Sequence, residues 1–342
     1  MNKTVLLVGA GKMAVEYAKV LQSLRVQMTV IGRGETSVMA FQQATGVPAV
    51  AGGLQRWLES QPAPLPSVAF VAVSINQLAS TTSALIEAGV RSILVEKPAG
   101  LNDIELQHLS GLAQKSGAEV RVAYNRRFLA STFAARSACE EDGGLLSMHF
   151  EFTEWTSRIT QGSHPPEVLA NWMLANSSHV IDLAMFIGGC PLRFSSFVSR
   201  GLSWHPQASV FSGAGMTDRG TLFSYHANWE SAGRWGIELR TTKRRLLLCP
   251  LEQLQEQKRD SLELTPVEID DRLDRQFKPG VYRQTLAMLS GSDIELLPTI
   301  QDHADTNARV YLQIASGSPT EHVLVVFGGL VQDWGRVPQP AV

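Results

Sequence analysis

The sequence predicts an α/β protein of two domains: a parallel sheet covered on both faces, then an α+β domain built on a large, mainly antiparallel open sheet. Three observations carry this. In the first third, short unbroken apolar runs alternate with helix-spaced segments of about ten residues or more, the pattern of strands buried on both faces. Past Ala123 the segments lengthen and alternate apolar with polar residues, as in a sheet with one buried and one wet face. At 342 residues the chain also exceeds what one core usually supports. The expected domains are 1–123 and 124–342.

Val5–Val8 reads as the first strand and Met13–Leu24 as the first helix, and Val26–Ile31 with Ser37–Thr45 repeats the pair. Strands follow at Val68–Val73, Ser92–Val95 and Glu119–Ala123, with helices Gln77–Ala88 and Asp103–Lys115 between them. Gln61-Pro62-Ala63-Pro64-Leu65-Pro66 is a stiff connection, too short for a domain linker. A polar helix over Arg127–Glu140 is stopped by Gly143-Gly144. The alternating segments are Leu145–Trp155, Leu192–Leu202, Gly220–Trp229 and Trp235–Leu248. Helices Val168–Met173 and His179–Ile187 interrupt them, and Val281–Leu289 and His303–Ile314 come late. Glu256–Asp274 is charge-rich and reads as a solvated surface segment; Val323–Val326 reads as a last strand before a frayed end.

Composition excludes several classes. Thirty basic against 32 acidic side chains leave a net charge of −2, so nothing favours nucleic acid or an anionic membrane as partner. No apolar run approaches the roughly 20 residues of a membrane span, and the N-terminal run stops after four residues at a glycine. Cys139, Cys190 and Cys249 are odd in number and widely spaced, which suits a reducing, cytoplasmic setting, and no cluster has metal-ligand spacing.

The first chemistry-bearing motif is Gly9-x-Gly11-x-x-Ala14, directly after a strand and opening a helix. The first glycine permits the tight turn, the second lets the backbone approach a pyrophosphate, and Ala14 allows close helix–sheet packing. The helix N-terminus, including Lys12 and Met13, supplies free N–H donors. The first domain is therefore expected to be a Rossmann dinucleotide-binding domain. At the end of the second strand an NAD site wants a carboxylate for the ribose hydroxyls. Here Gly32 stands at about that place, followed by Arg33, with Thr36 and Ser37 nearby. A guanidinium with hydroxyls suits a 2′-phosphate, so the expected cofactor is NADP, with NAD as the alternative should Glu35 reach the ribose. Ser74 and Asn76 follow the fourth strand on the same edge, in reach of the cofactor.

Val95-Glu96-Lys97-Pro98 ends the fifth strand, at the sheet edge where open α/β folds bind ligands. Glu96 and Lys97 thus fall beside the cofactor, and the Lys97 ammonium can stabilise charge developing on a substrate oxygen. With Tyr124-Asn125-Arg126-Arg127-Phe128, His179-Val180-Ile181-Asp182 and Lys278-Pro279-Gly280-Val281-Tyr282-Arg283-Gln284, the chain resembles the Gfo/Idh/MocA family, the glucose–fructose oxidoreductase and inositol dehydrogenase group. The resemblance runs from residue 5 to about 315, with the motifs in order. It implies hydride transfer between a nicotinamide and a sugar, polyol or nucleotide-sugar, Lys97 and His179 as catalytic residues, a cis Lys97–Pro98 bond, and a sheet that often forms a homo-oligomer interface, giving a dimer or tetramer. Imidazole is also the chain's best base on chemical grounds, although His179 can equally pair with Asp182 at the helix start.

One position departs from the family pattern: where relatives carry an aspartate four residues before the histidine, this chain has Ala175. Asn176 can position a substrate hydroxyl but cannot take its proton. Either Lys97 and His179 move the proton alone, or the role has moved. Arg126 can bind a substrate anion or brace the domain junction, and Trp172 can stack on a sugar ring or sit in the core. Two other readings follow from the missing aspartate: a non-redox regulator that binds dinucleotide or sugar, and an epimerase or hydrolase that cycles a tightly held cofactor.

Overall fold

The computed structural model describes residues 4–60, 64–160, 162 and 164–317, and the backbone of 326–327 and 330–331. The N-terminal unit runs β1 (Thr4–Val8), α1 (Lys12–Ser23), β2 (Gln27–Ile31), α2 (Glu35–Thr45), β3 (Ala49–Val50), α3 (Gly53–Glu59), β4 (Val68–Val71), α4 (Leu78–Glu87), β5 (Ser92–Glu96), α5 (Asp103–Ser116) and β6 (Glu119–Ala123). All pairs are parallel, in the order β3-β2-β1-β4-β5-β6. The order reverses between β1 and β4, and that crevice is where such sheets bind nucleotides. Val5 to Val8 and Val68 to Val71 are buried without alternation, as the apolar runs predict for strands covered on both faces. Local signals agree with the ends of α5: the Asn102 side chain accepts the Glu105 N–H, and Gly117 closes the helix in the left-handed conformation.

The C-terminal unit holds α6 (Ala130–Glu141), β7 (Ser147–Phe152), α7 (Thr156–Thr160), α8 (Pro166–Ala170), α9 (Ser178–Gly188), β8 (Pro191–Ser199), β9 (Val210–Thr217), β10 (Leu222–Asn228), β11 (Trp235–Arg240), β12 (Arg244–Leu248), β13 (Gln255–Lys258), β14 (Thr265–Pro266), α10 (Arg272–Gln276), α11 (Val281–Ser290), α12 (Ile300–Thr306) and α13 (Leu312–Ser316). Eight strands form one sheet, β14-β13-β12-β11-β7-β10-β9-β8, antiparallel except for the β7–β10 pair. Met148, Phe150 and Phe152 on β7 alternate with outward Ser147, His149 and Glu151. The inward face packs under α9, and α13 packs on β8.

The two units are stitched together: α11 lies on α1 and α12 on α5, and the Val122 N–H donates to Pro298 O at 2.9 Å. Beyond the expected elements the chain adds β3, α3, α7, β9 and α10. Trp235–Leu248, expected as one segment, is the hairpin β11–β12. Glu256–Asp274, expected to be wholly solvated surface, contributes most of β13 and the edge strand β14. Of the expected last strand only Val326 lies among the described residues, where Val326–Phe327 pairs with Leu330–Val331; residues 61–63 of the proline-rich connection also lie outside them.

Candidate active site

The glycine turn opens a cleft of about 900 Å³ between β1, β2 and β4. Gly9 has φ +128°, and a Cβ there would fall 2.2 Å from the Ala72 carbonyl oxygen; no side chain fits between these strand ends. Gly11 is extended, with open space for at least 4 Å around its missing Cβ, which leaves the backbone free to be approached. Gly9, Gly11, Lys12 and Met13 line the cleft, as do Arg33, Thr36, Ser37 and Ser74. Gly32 lacks a side chain because Val38 and Ala10 crowd it, at 2.5 and 2.8 Å from a built Cβ. The loop carrying Arg33 is held by the N–H groups of Gly52 and Gly53, which donate to Arg33 O and Gly32 O. Among the described residues, Lys12 and Arg33 line the cleft and no carboxylate does. Asn76 is placed elsewhere: its amide donates to Glu167 at 3.0 Å.

Beyond the end of β5, Lys97 is half-buried and its Nζ donates to Ala175 O at 2.6 Å. Burial pulls its pKa down to about 8, with the negative charges of Glu96 and Glu154 opposing the fall. Lys97–Pro98 is cis. Glu96 faces away from the cleft: it accepts the Tyr17 hydroxyl at 2.6 Å, which in turn accepts the Gln284 amide at 2.8 Å. Burial raises the Glu96 pKa against the lowering effects of Tyr17, Lys97 and Lys278.

His179 stands near the start of α9. Its ring meets the Tyr124 ring edge-on at 5.9 Å and lies 5.9 Å from Trp235, and its Nδ1 is buried with no hydrogen-bond partner. Burial, then the charges of Lys97, Arg126 and Lys278, hold its pKa well below the usual range, so the imidazole is neutral. Asp182 is not its partner; that carboxylate takes both ends of the Arg127 guanidinium, at 2.8 and 2.6 Å. On the far side of Tyr124, the His303 Nε2 lies 2.8 Å from Pro98 O and braces the segment that carries Lys97.

A second cavity, of about 310 Å³, opens next to these groups, with Arg126, Glu154, Trp155, Arg158, Arg234 and Trp235 in its wall. Arg126 is ion-paired to Glu252, and its Nε is buried without a partner. The Arg158 guanidinium lies 4.3 Å over the Trp155 ring. Trp172, a candidate for stacking on a sugar or for the core, is buried with edge-on contacts to His164 and Trp204. Asn176, a candidate for a substrate hydroxyl, donates to both oxygens of Glu154 at 3.0 and 3.1 Å.

Sequence reasoning missed Glu154, Arg234, Trp235 and the charge of Lys278. Trp235 and Glu154 lie at strand ends, where a segment enters or leaves β11 and β7, and no local spacing marks them. Lys278 sits inside a motif used for the resemblance, and its position before α11 was the available signal.

Among the described residues no helix is long and apolar enough to cross a membrane, and no group of three His, Cys, Asp or Glu side chains could hold a metal ion. Residues 3–124 match the model of the Gfo/Idh/MocA group, an oxidoreductase family with an NAD-binding Rossmann fold. No curated protein matches the chain by sequence. Solved structures share the fold over nearly the whole length. An oxidoreductase from Agrobacterium radiobacter in complex with NAD+, L-tartaric acid and magnesium superposes with a TM-score of 0.72 at 14% identity, over 91% of this chain and 95% of its own. An inositol dehydrogenase homolog from Azotobacter vinelandii, complexed with NAD+, gives 0.70 at 16%, over 92% and 95%. A dehydrogenase from Bordetella pertussis in complex with NADH and UDP-GlcNAcA gives 0.67 at 14%, over 92% and 95%.

Proposed function

With an N-terminal domain of the Gfo/Idh/MocA oxidoreductase type, we propose that this chain is an NADP-dependent oxidoreductase acting on a sugar, polyol or nucleotide-sugar. One observation carries the reading: Lys97, with a pKa near 8, and neutral His179 lie close enough for one charge to act on the other, beside the Arg126, Glu154 and Trp235 that wall the second cavity. The residues fit the cofactor. The space around Gly11 admits a pyrophosphate against the helix N-terminus, and Lys12 with Arg33 would meet phosphate charge unopposed by any carboxylate of the cleft. When bound, the nicotinamide accepts or returns a hydride.

The chain's own residues supply the rest. Lys97, whose pKa of about 8 leaves roughly a tenth of it as free amine at pH 7, takes the hydroxyl proton in oxidation and gives it back in reduction. His179 offers a neutral imidazole that can donate to or accept from the same oxygen. Trp155 and Trp235 present aromatic surface to the C–H face of a sugar ring, while Arg158 and Arg234 can donate to its hydroxyls or to an attached anion. The chain is proposed to work in the cytoplasm as a homo-oligomer. The outward face of the large sheet, which carries Phe197 and Leu222 among small polar side chains, is the surface available for pairing. The test is consumption of NADPH with a panel of keto sugars, compared with NADH under the same conditions.

A further inference from the structure

We propose that Glu154 is the carboxylate partner of Lys97, held opposite it across the Ala175–Ser177 turn and facing the substrate cavity. The proposal rests on the oxidoreductase reading for its chemistry and on the structure for its geometry. Glu154 is only 6% exposed, and a carboxylate is seldom buried without compensation. Its hydrogen bonds come from neutral groups: Ser177 Oγ at 2.7 Å and the Asn176 amide at 3.0 and 3.1 Å. Lys97 is the cation that acts on it.

Three consecutive residues hold both partners. Ala175 gives its carbonyl to the Lys97 ammonium, and Asn176 and Ser177 give their donors to Glu154. This stretch is a single π-helical turn, Met173–Ser177, ahead of α9, and such turns recur at functional sites. The position lacking an acidic side chain therefore serves through its backbone, and a glutamate from the end of β7 brings the charge. Ser177 and Asn176 give this carboxylate three hydrogen bonds, the Trp172 indole lies within reach as a further donor, and Glu154 lines the cavity.

In the oxidation direction the substrate O–H bond breaks and a N–H bond forms on the Lys97 amine. The C–H bond breaks with its electron pair leaving as hydride to the oxidised nicotinamide, and the carbon–oxygen double bond closes. Burial raises the Glu154 pKa, while the hydrogen bonds of Ser177, Asn176 and Trp172 and the Lys97 charge favour the carboxylate, which offsets the ammonium that forms. The charged and titratable groups around Lys97 are Glu96 beside it on β5, Glu154 from the end of β7, Arg126 from the turn after β6, His179 on α9 and Lys278 ahead of α11. Of the two carboxylates, Glu96 is engaged with Tyr17, so Glu154 is the one turned to the cavity.

The experiment is a titration of Lys97 in protein reductively methylated with 13C-formaldehyde, with the Lys97→Ala protein identifying its resonance. In Glu154→Gln the Lys97 midpoint falls by about one pH unit, in Glu154→Asp it stays close to wild type, and NADPH affinity is unchanged in both. An unmoved midpoint in Glu154→Gln would overturn the pairing. Should Glu154→Gln fail to fold, Lys97→Met reads the same coupling from the other side: the Glu154 carboxyl resonance in 13C-glutamate protein titrates at higher pH than in wild type, and an unchanged midpoint overturns the pairing equally. Failure of the oxidoreductase reading would show separately, as wild-type protein that neither binds NADPH nor turns it over.

Discussion

Replacing each glycine of the phosphate turn by alanine separates folding from binding. At Gly9, φ of +128° is a conformation that side chains rarely adopt, and a Cβ would lie 2.2 Å from the Ala72 oxygen and 2.6 Å from its carbon. Both atoms belong to backbone that is fixed by the Ala72 N–H bond to Val8 O at 2.8 Å. Relief requires β1 and β4 to part, or the turn to give up the Gly9 N–H bond to Ile31 O, also 2.8 Å. Backbone strain, overpacking and a lost buried hydrogen bond together cost about 3–6 kcal/mol, a large share of the roughly 5–15 kcal/mol that holds a domain folded. At Gly11 the backbone is extended and a Cβ meets nothing within 4 Å, so Gly11→Ala stays within about 1 kcal/mol of wild type. Its methyl group nonetheless occupies the space where a pyrophosphate would approach, and NADPH affinity falls by about tenfold or more. Urea melts and NADPH fluorescence titrations of the two variants make the comparison. A Gly9→Ala protein as stable as wild type, or a Gly11→Ala protein that binds NADPH undiminished, refutes the reasoning.

Arg33→Ala is expected to weaken NADPH binding by about tenfold or more while leaving NADH binding unchanged, as read by parallel titrations; equal loss for both cofactors would assign Arg33 no role at the 2′-phosphate. The pH–rate profile follows from a Lys97 pKa lowered to about 8. Oxidation, which needs the free amine, rises with pH and levels off above about 8, whereas reduction, which needs the ammonium, falls there. Trp235→Ala, which removes an aromatic wall of the cavity and the His179 ring neighbour, should raise KM for sugar substrates and leave NADPH binding intact.

The nucleotide half of the molecule was legible because its spacing is its geometry: a glycine turn works only directly after a strand, and the residues from 5 to 14 contain both. Segments whose conformation is decided elsewhere were not. β9 hides because Gly213 and Gly215 break its alternation. A Cβ at 213 would meet Tyr225 at 2.4 Å and Ser195 O at 2.5 Å, and one at 215 would meet Phe194 at 2.3 Å, so the demand for glycine is written in the neighbouring strands. The β11–β12 turn has no glycine, proline or asparagine. The Thr241 hydroxyl takes the N–H groups of Lys243 and Arg244 instead, a side-chain turn that mimics the commoner signals. β3 and the short α3 fall below the length at which periodicity speaks.

At the candidate site, Lys97 and His179 were singled out by their flanking motifs, and the Lys97 charge acts on the His179 ring. Ala175 looked like a gap because the sequence shows side chains and not carbonyls. Its oxygen holds Lys97, and the carboxylate that sits opposite comes from Glu154, more than twenty residues earlier in the chain. For Trp172, of the two places the sequence allowed, the structure takes the core.

The central claim is that Lys97 moves the substrate proton in a hydride-transfer reaction. The most direct measurement is the nicotinamide absorbance of NADPH mixed with purified protein and a panel of keto sugars, run beside Lys97→Ala protein shown to bind NADPH normally. The account predicts turnover of at least one sugar by the wild type and a loss of roughly 10²–10⁴-fold in the variant. Turnover that survives the substitution undiminished would contradict it.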